Sequence, residues 1–398
     1  MNVLETQGLP VKFWIERKDI EDGAMNQIIN LANLPFAYHH VAIMPDVHQG
    51  YGMPIGGVLA TQGVVIPNAV GVDIGCGMCA VKTNLTEIDT ESLKKMMGEI
   101  RKVIPVGFAR HPQKQDESLM PRVENSVWYS EENLKNELPI CGQEYQNALT
   151  QIGTLGSGNH FIEIQKGNDG HIWIMIHSGS RNLGKQVADY YDELAQKFNK
   201  RWYSSVPKEW KLAFLPLETQ EAKDYVSEMQ YCVDFALANR KLMMNRIIEI
   251  FVKVTGNHLY QEMINIAHNY ASMENHFGKN VLVHRKGATL AREGTVGIIP
   301  GSQGTKSYIV QGKGNKDSFE SCSHGSGRKM GRKEAQRTLN LEEEKKRLDD
   351  MGVIHGIRSV KELDEAAGAY KDIEAVMKNQ TDLVDILVEL TPIAVIKG

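Results

Sequence analysis

The residues able to do chemistry in this chain are strung along nearly all of it, so any fold must gather the whole length around one place. Five short stretches each centre on a candidate metal ligand or nucleophile. They are Gly71-Val72-Asp73-Ile74-Gly75-Cys76-Gly77, Gly156-Ser157-Gly158-Asn159-His160-Phe161-Ile162-Glu163, His177-Ser178-Gly179-Ser180-Arg181, His268-Asn269-Tyr270 and Ser323-His324-Gly325-Ser326-Gly327-Arg328. The second precedes an uninterrupted apolar run and the third follows one, as expected where a strand begins or ends at the rim of a site. Glycine there lets backbone approach a ligand and adopt positive φ, while Asp, Cys and His supply donors for a divalent metal. Together the five predict a metal-dependent site that binds phosphate.

Short β-branched runs over 41–46, 63–73, 172–177, 281–286, 295–300 and 307–311 end in Gly, Pro or Asp and predict buried strands. Helical spacing of apolar residues predicts helices over 185–200 and 219–252. A charged surface helix is expected over 328–350, and a final amphipathic one over 371–390 before the tail Ile393-Ala394-Val395-Ile396-Lys397-Gly398. No repeat, low-complexity tract or linker divides the chain. The expected fold is therefore α+β, a single integrated domain over residues 1–398, with a central β-sheet core surrounded by helices and a metal-containing cleft. The hydrophobic fraction of 42% sustains a sizeable core, and the net charge of -4 excludes a global basic field. Any polyanion must then meet a local basic pocket. Cys76, Cys79, Cys141, Cys232 and Cys322 are sparse and odd in number, and no signal peptide or bilayer-length apolar run is present. A reduced, cytoplasmic protein without membrane contact is expected.

Asp73 and Cys76 share a Gly-rich turn at Asp-x-x-Cys spacing, which can place a carboxylate and a thiolate on one ion. A thiolate can also bridge two ions. Cys79 adds a Cys-x-x-Cys, but no second pair supports a zinc or redox reading. Standing alone, the motif would fit a buried free cysteine in a tight turn equally well. His160, His177 and His268 are the candidate nitrogen ligands. Three imidazoles, one carboxylate and one thiolate suit Mn²⁺, Zn²⁺ or Fe²⁺ and suit Ca²⁺ poorly. The absence of His-Glu-x-x-His argues against a zincin protease. His324, between a serine and a Gly-x-Gly turn and followed by Arg328 and Arg332, fits an imidazole nucleophile facing phosphate. At i, i+4 the two arginines would share one helix face. The alternative is a turn capping a basic surface helix. Gly301-Ser302-Gln303-Gly304-Thr305-Lys306-Ser307 resembles a phosphate loop without the Walker ending. Lys397 fits either a frayed surface lysine or a residue folded back over the site.

Ordered motifs over almost the full length resemble the RtcB family of RNA-splicing ligases. They are Met44-Pro45-Asp46-Val47-His48-Gln49-Gly50, Val72-Asp73-Ile74-Gly75-Cys76-Gly77-Met78, Gly158-Asn159-His160-Phe161-Ile162-Glu163, His177-Ser178-Gly179-Ser180-Arg181, His268-Asn269-Tyr270, Ile299-Pro300-Gly301-Ser302, His324-Gly325-Ser326-Gly327-Arg328, Tyr370-Lys371-Asp372 and Lys397-Gly398. The resemblance implies a GTP- and Mn²⁺-dependent ligase that joins an RNA 3′-phosphate or 2′,3′-cyclic phosphate to a 5′-hydroxyl, in tRNA splicing or RNA repair. It implies two Mn²⁺ ions bridged by Cys76, one completed by His177 and His268 and the other by Asp73 and His160. It makes His324 the nucleophile that carries GMP. It places Asn159, Glu163, Asn269, Ser302, Ser307, Gly325, Ser326, Gly327, Tyr370 and Lys397 around the guanylate, and Arg181, Arg328 and Arg332 on RNA phosphates. Asp46 falls in a motif near the metals and plays a supporting part. The family commonly carries Ala where Ser326 stands. An archease-like activator is a further implied partner.

Three competing readings share these residues. A nucleotidyltransferase would cap RNA or DNA 3′ ends without ligating them. A non-catalytic RNA-binding scaffold would be expected to have lost Cys76, His324 or a metal histidine. A metallohydrolase of phosphoesters would ignore GTP. No Lys-x-Asp-Gly motif is present, which argues against a lysine-adenylating ligase.

Overall fold

The computed structural model describes residues 1–121, 131–257 and 262–398. Two mainly antiparallel sheets form its centre. The six-stranded sheet runs, in spatial order, Asn2–Leu4, Val11–Phe13, Ala37–His48, Ile55–Thr61, Lys279–Lys286 and Asn269–His276. The seven-stranded sheet runs Ile264–Ala267, Gly77–Lys82, Ile172–Ser178, Phe161–Gly167, Val384–Lys397, Ser307–Gly312 and Val296–Ile299. The expected α+β architecture with a sheet core and surrounding helices is what the chain adopts.

The unbroken apolar runs arise because these strands are buried on both faces. Ala42, Met44, Val58 and Ala60 of the first sheet meet Ile299, Val310 and Val384 of the second. Their neighbours Val41, Ile43 and Leu59 point the opposite way, against the helix Asp22–Ala32. In the second sheet Ile162, Ile164, Ile174 and Ile176 pack on the helices Thr90–Val103 and Gln220–Thr255. Trp173 and Met175 face Leu348, Val353 and Leu363 on the other side. A period of two thus feeds separate cores from one strand. Burying Ile174 or Ile176 contributes on the order of 1.5–3 kcal/mol each.

Gln220–Thr255 is one continuous helix of 36 residues, about 54 Å long. Thr219 starts it by accepting from the Ala222 N–H, and Gly256 ends it at φ +71°. No helix among the described residues is long and apolar enough to cross a membrane.

Three expected elements differ. Only Val64–Val65 of the run 63–73 is a strand, because Pro67 opens the short helix Pro67–Val70. The stretch 328–350 is two helices, Arg332–Thr338 and Leu341–Asp350. Asn340 interrupts it by capping the N–H groups of Glu342 and Glu343. The helix expected over 371–390 stops at Lys378, and Val384–Lys397 is instead a central strand of 14 residues. Pairing with Ser307–Gly312 on one side and Phe161–Gly167 on the other outweighs local helical spacing there, with Pro392 beside a register shift. Lys397 is consequently held in the sheet, next to Phe161, and is not frayed.

Candidate active site

The two sheets meet at His268. It lies between Ile264–Ala267 of the second sheet and Asn269–His276 of the first, so a single turn of chain carries the imidazole into the corner between them. His177 reaches the same corner near the end of Ile172–Ser178, and His160 immediately precedes Phe161–Gly167. Asp73 and Cys76 arrive on the turn before Gly77–Lys82. Gly75, at φ +74°, lets that turn lie on the long helix, where a Cβ would stand 2.8 Å from Val233 Cα. Five positions scattered over two hundred residues become one cluster.

Its geometry is that of two ligand sets sharing a sulfur. Cys76, His177 and His268 form one set, and Asp73, Cys76 and His160 the other, with the ligand atoms of each within 4.8 Å of one another. Cys76 Sγ lies 3.3 Å from His177 Nε2 and 3.5 Å from His160 Nε2. His177 Nε2 lies 3.4 Å from His268 Nε2, and His160 Nε2 is 3.0 Å from Asp73 Oδ2. The tautomers follow from the partners. His160 Nδ1–H donates to Leu155 O at 3.0 Å and His177 Nδ1–H to Asn159 O at 3.1 Å, since a carbonyl can only accept. The Arg181 guanidinium approaches the same His160 Nδ1 at 3.3 Å but offers no acceptor. His177 Nε2 therefore turns a lone pair into the cluster, and His160 Nε2 is directed there too, against Asp73, the outer-shell arrangement that prepares imidazole for a metal.

Protonation states agree with that fit. Burial, reinforced by neighbouring imidazoles, drives His177 and His268 well below the usual histidine range, so both are neutral ligands. Asp73 is lowered to about 2 against its burial, chiefly through the hydrogen bond and charge of His160. Burial and the Asp73 carboxylate push the Cys76 thiol far up, so a metal must displace its proton. A set of three imidazole nitrogens, a thiol sulfur and a carboxylate fits borderline divalent cations.

His324 stands on the far side of His268, ring centroids 4.8 Å apart. Pairing of Ser321–Ser323 with Ala288–Leu290 brings it there. Beneath it Asp46, which is fully buried, accepts three hydrogen bonds on one oxygen. They come from His324 Nδ1 at 2.6 Å, the His324 N–H at 3.0 Å and the Gly325 N–H at 3.3 Å. Burial acts to raise the Asp46 carboxyl, but the charge and hydrogen bond of His324 hold it below its usual value, so it is ionised. Nδ1 is committed to Asp46, leaving Nε2 free.

Two cavities flank His324. One of about 690 Å³ is lined by Asn159, Ser302, Gly325, Ser326, Gly327, Arg328, Arg332, Tyr370 and Lys397. The other, about 500 Å³, holds Asp73, Cys76, His160, Arg181, His268 and Asn269. Asn159, Arg332 and His324 line both. Glu163 and Ser307 lie behind the first cavity's wall, joined through Gln165, whose Nε2 donates to Glu163 Oε2 at 2.7 Å and Ser307 Oγ at 3.1 Å. Asn269 is on the metal side, its side chain tied to Asp73 O at 3.1 Å and the Gly287 N–H at 2.7 Å. Arg328 and Arg332 do not share a helix face, because only Arg332 is helical. Glu365 gathers them instead, at 2.8 and 2.6 Å, and also accepts from the Tyr370 hydroxyl.

Glu365 carried no signal in the sequence, lying in an ordinary acidic run. Arg240, fully buried under the metal cluster, was equally silent. Its Nη1 donates to Gly75 O at 2.9 Å and Ser178 O at 2.8 Å, fastening both ligand-bearing turns to the long helix. His48, which lines the larger cavity, was at least inside a quoted motif.

Comparison with known proteins places this geometry. The family model for the tRNA-splicing ligase RtcB matches residues 27–398. The RNA-splicing ligase RtcB of Escherichia coli K12 is 39% identical over 408 residues, covering 100% of this chain and 99% of that one. The tRNA-splicing ligase RtcB of Pyrobaculum aerophilum is 33% identical, covering 98% and 95%, and that of Thermococcus kodakarensis 32%, covering 95% and 92%. The chain belongs to the RtcB family. In this RtcB chain Ser326 is 3% exposed and its hydroxyl has no hydrogen-bond partner among the described residues, although it lines the larger cavity. A buried hydroxyl left unpaired beside open space is suited to a polar ligand atom.

Proposed function

We propose that residues 1–398 act as one RNA ligase domain, which joins an RNA 3′-phosphate or 2′,3′-cyclic phosphate to a 5′-hydroxyl using GTP and two Mn²⁺ ions. The observation that carries the reading is the placement of His324 between a paired metal-ligand cluster and an adjoining cavity, with its Nδ1 fixed by a buried carboxylate. The larger cavity takes the guanine nucleotide, with Lys397, Ser302 and Tyr370 on its wall and Glu163 behind it. His324 Nε2 attacks the α-phosphorus, forming a phosphorus–nitrogen bond as pyrophosphate leaves. Asp46 accepts the hydrogen bond of the proton that stays on Nδ1 and offsets the positive charge that grows on the ring. A 2′,3′-cyclic phosphate is first opened by water, which breaks the bond from phosphorus to the 2′-oxygen and leaves a 3′-phosphate. A 3′-phosphate oxygen then takes GMP from His324 as the phosphorus–nitrogen bond breaks, and attack of the 5′-hydroxyl on that activated phosphorus expels GMP. Asp73, Cys76, His160, His177 and His268 would hold the ions, which supply Lewis-acid stabilisation of charge on phosphate oxygens. Arg181 and Arg332 line the metal-side cavity, where the RNA phosphates would lie. A reducing, cytoplasmic setting belongs to the same proposal and is supported by five unpaired cysteines, all buried.

The test is covalent labelling with GTP radiolabelled at the α-phosphate, in Mn²⁺, beside an ATP control. An acid-labile, alkali-stable protein adduct is expected from the wild type and not from His324→Ala with its metal content unchanged. Full labelling of that variant would sink the assignment.

A further inference from the structure

The 500 Å³ metal-side cavity has one wall that the reaction above does not use. It is the loop Val106–Arg110, on which Phe108 is 94% exposed. Isolated exposed aromatics are common on protein surfaces and need no explanation by themselves. This one differs in where it sits and how it is held. Phe108 and Arg110 line the same cavity as Asp73, Cys76 and His160. The loop is fastened at one end to Leu155 and Gly156, just before His160, and at the other to the helix Pro139–Gln151. The Leu155 N–H donates to Pro105 O at 3.0 Å, the Gly107 N–H to Gly156 O at 2.7 Å, and the His111 N–H to Thr150 O at 2.9 Å. Gly107, at φ +65°, makes the turn that presents the ring. The side chain is thus exposed while its backbone is anchored a few residues from the metal cluster.

Among the described residues, the cavity lining carries Arg110, Arg181, Lys185, Lys286 and Arg332 against the one carboxylate of Asp73. Lys185 is paired with Asp189 and Arg332 with Glu365, and burial lowers Lys286, whose ammonium donates to the Tyr51 and Asn68 carbonyls, to about 7. Arg110 is exposed and has no ion pair among the described residues, so it and Arg181 are the cations turned to the groove. Cations spaced along a groove with an exposed aromatic on its rim match a single strand of nucleic acid. Its phosphates meet the cations, and any base offers a π-face for stacking.

We propose that Phe108 is a stacking platform for a nucleobase close to the reacting 3′ end of the RNA strand, with Arg110 facing the phosphate beside it. The proposal rests on the RNA-ligase reading and adds to it a sequence-tolerant base subsite. Stacking on a ring accepts any base, because every base has a π-face.

The experiment measures binding of a fluorescent single-stranded RNA ending in a 3′-phosphate to the Mn²⁺-loaded full chain. Phe108→Ala is expected to weaken binding about tenfold, equivalent to ~1.4 kcal/mol, with Phe108→Trp close to wild type. Phe108 is almost wholly exposed, so its truncation removes no core contact, and GTP labelling of the variant should match wild type. An abasic nucleotide walked back from the 3′ end should, at one position, make wild type and Phe108→Ala equal. Wild-type affinity in Phe108→Ala, or the same deficit with every abasic strand, overturns the proposal, as does a wild type that binds no RNA. If the wild type takes no GMP label but binds RNA through Phe108, the ligase reading falls and the platform stands. Labelling with RNA binding indifferent to Phe108 gives the converse.

Discussion

Replacing Asp46 by Asn should slow formation of the protein–GMP adduct by a modest factor that the surrounding donors determine. Asp46 and Asn differ by one oxygen exchanged for an NH₂, so the amide can enter the same buried space in two orientations. The backbone N–H groups of His324 and Gly325, 3.0 and 3.3 Å from the present Oδ2, can only donate. They select the orientation that keeps an oxygen there, and His324 Nδ1–H retains an acceptor. The tautomer is then preserved, so the roughly 10⁴-fold loss associated with a reversed tautomer is not expected. What disappears is the negative charge under an imidazole that becomes positive as Nε2 attacks. A hydrogen bond to a charged group contributes about 1.5–3 kcal/mol and a neutral one about 0.5–1.5. The difference, ~1–1.5 kcal/mol, predicts a roughly 5- to 13-fold slower labelling step. The amide nitrogen would also stand where Oδ1 has no partner now, so stability should fall by about 1–3 kcal/mol. Single-turnover labelling at saturating GTP, with urea unfolding of the same samples, measures both quantities. An unchanged labelling rate in folded Asp46→Asn would remove Asp46 from the chemistry. A loss near 10⁴-fold would mean that the amide is reversed and that the backbone donors do not control it.

Two further outcomes follow from protonation. Burial pushes the Glu163 carboxyl up to about 8 from an ordinary 4.5. Its contribution to folding is therefore complete below about pH 4.5 and is lost at ~1.4 kcal/mol per pH unit as pH rises toward 8. Glu163→Gln should gain on wild type in melting temperature as pH rises from about 4.5 to 8 without nucleotide, with the gap levelling off above 8, and a gap independent of pH would refute the titration. Because the Cys76 thiol is held protonated by burial and by Asp73, Mn²⁺ uptake should release a proton and tighten as pH rises. Cys76→Ser should leave the protein depleted of Mn²⁺ by elemental analysis, and normal metal content in that variant would rule out a shared sulfur.

The chain itself determined the residue types and their approach to the site. Asp73, Cys76, His160, His177, His268 and His324 were legible because each lies at or beside a strand end, where glycine or asparagine and an abrupt change from apolar to polar mark the rim. Strands such as 172–177 were legible for the same reason, since burial on two faces leaves an unbroken apolar run. The C-terminal segment misled, because helical spacing is a local signal and sheet pairing is not. Val384–Lys397 is a strand because Ser307–Gly312 and Phe161–Gly167 offer hydrogen bonds on both of its edges. Local spacing also put Arg328 and Arg332 on one helix, whereas tertiary structure joins them through Glu365, a residue with no motif of its own. Arg240 was silent for a related reason, since the carbonyls of Gly75 and Ser178 that it satisfies exist as a pair only after folding. Sequence determines which groups can bind a metal or a phosphate. Only the folded chain decides which of them share a sulfur, which carboxylate lies beneath the histidine and which wall faces the incoming strand, because those are contacts between residues hundreds of positions apart.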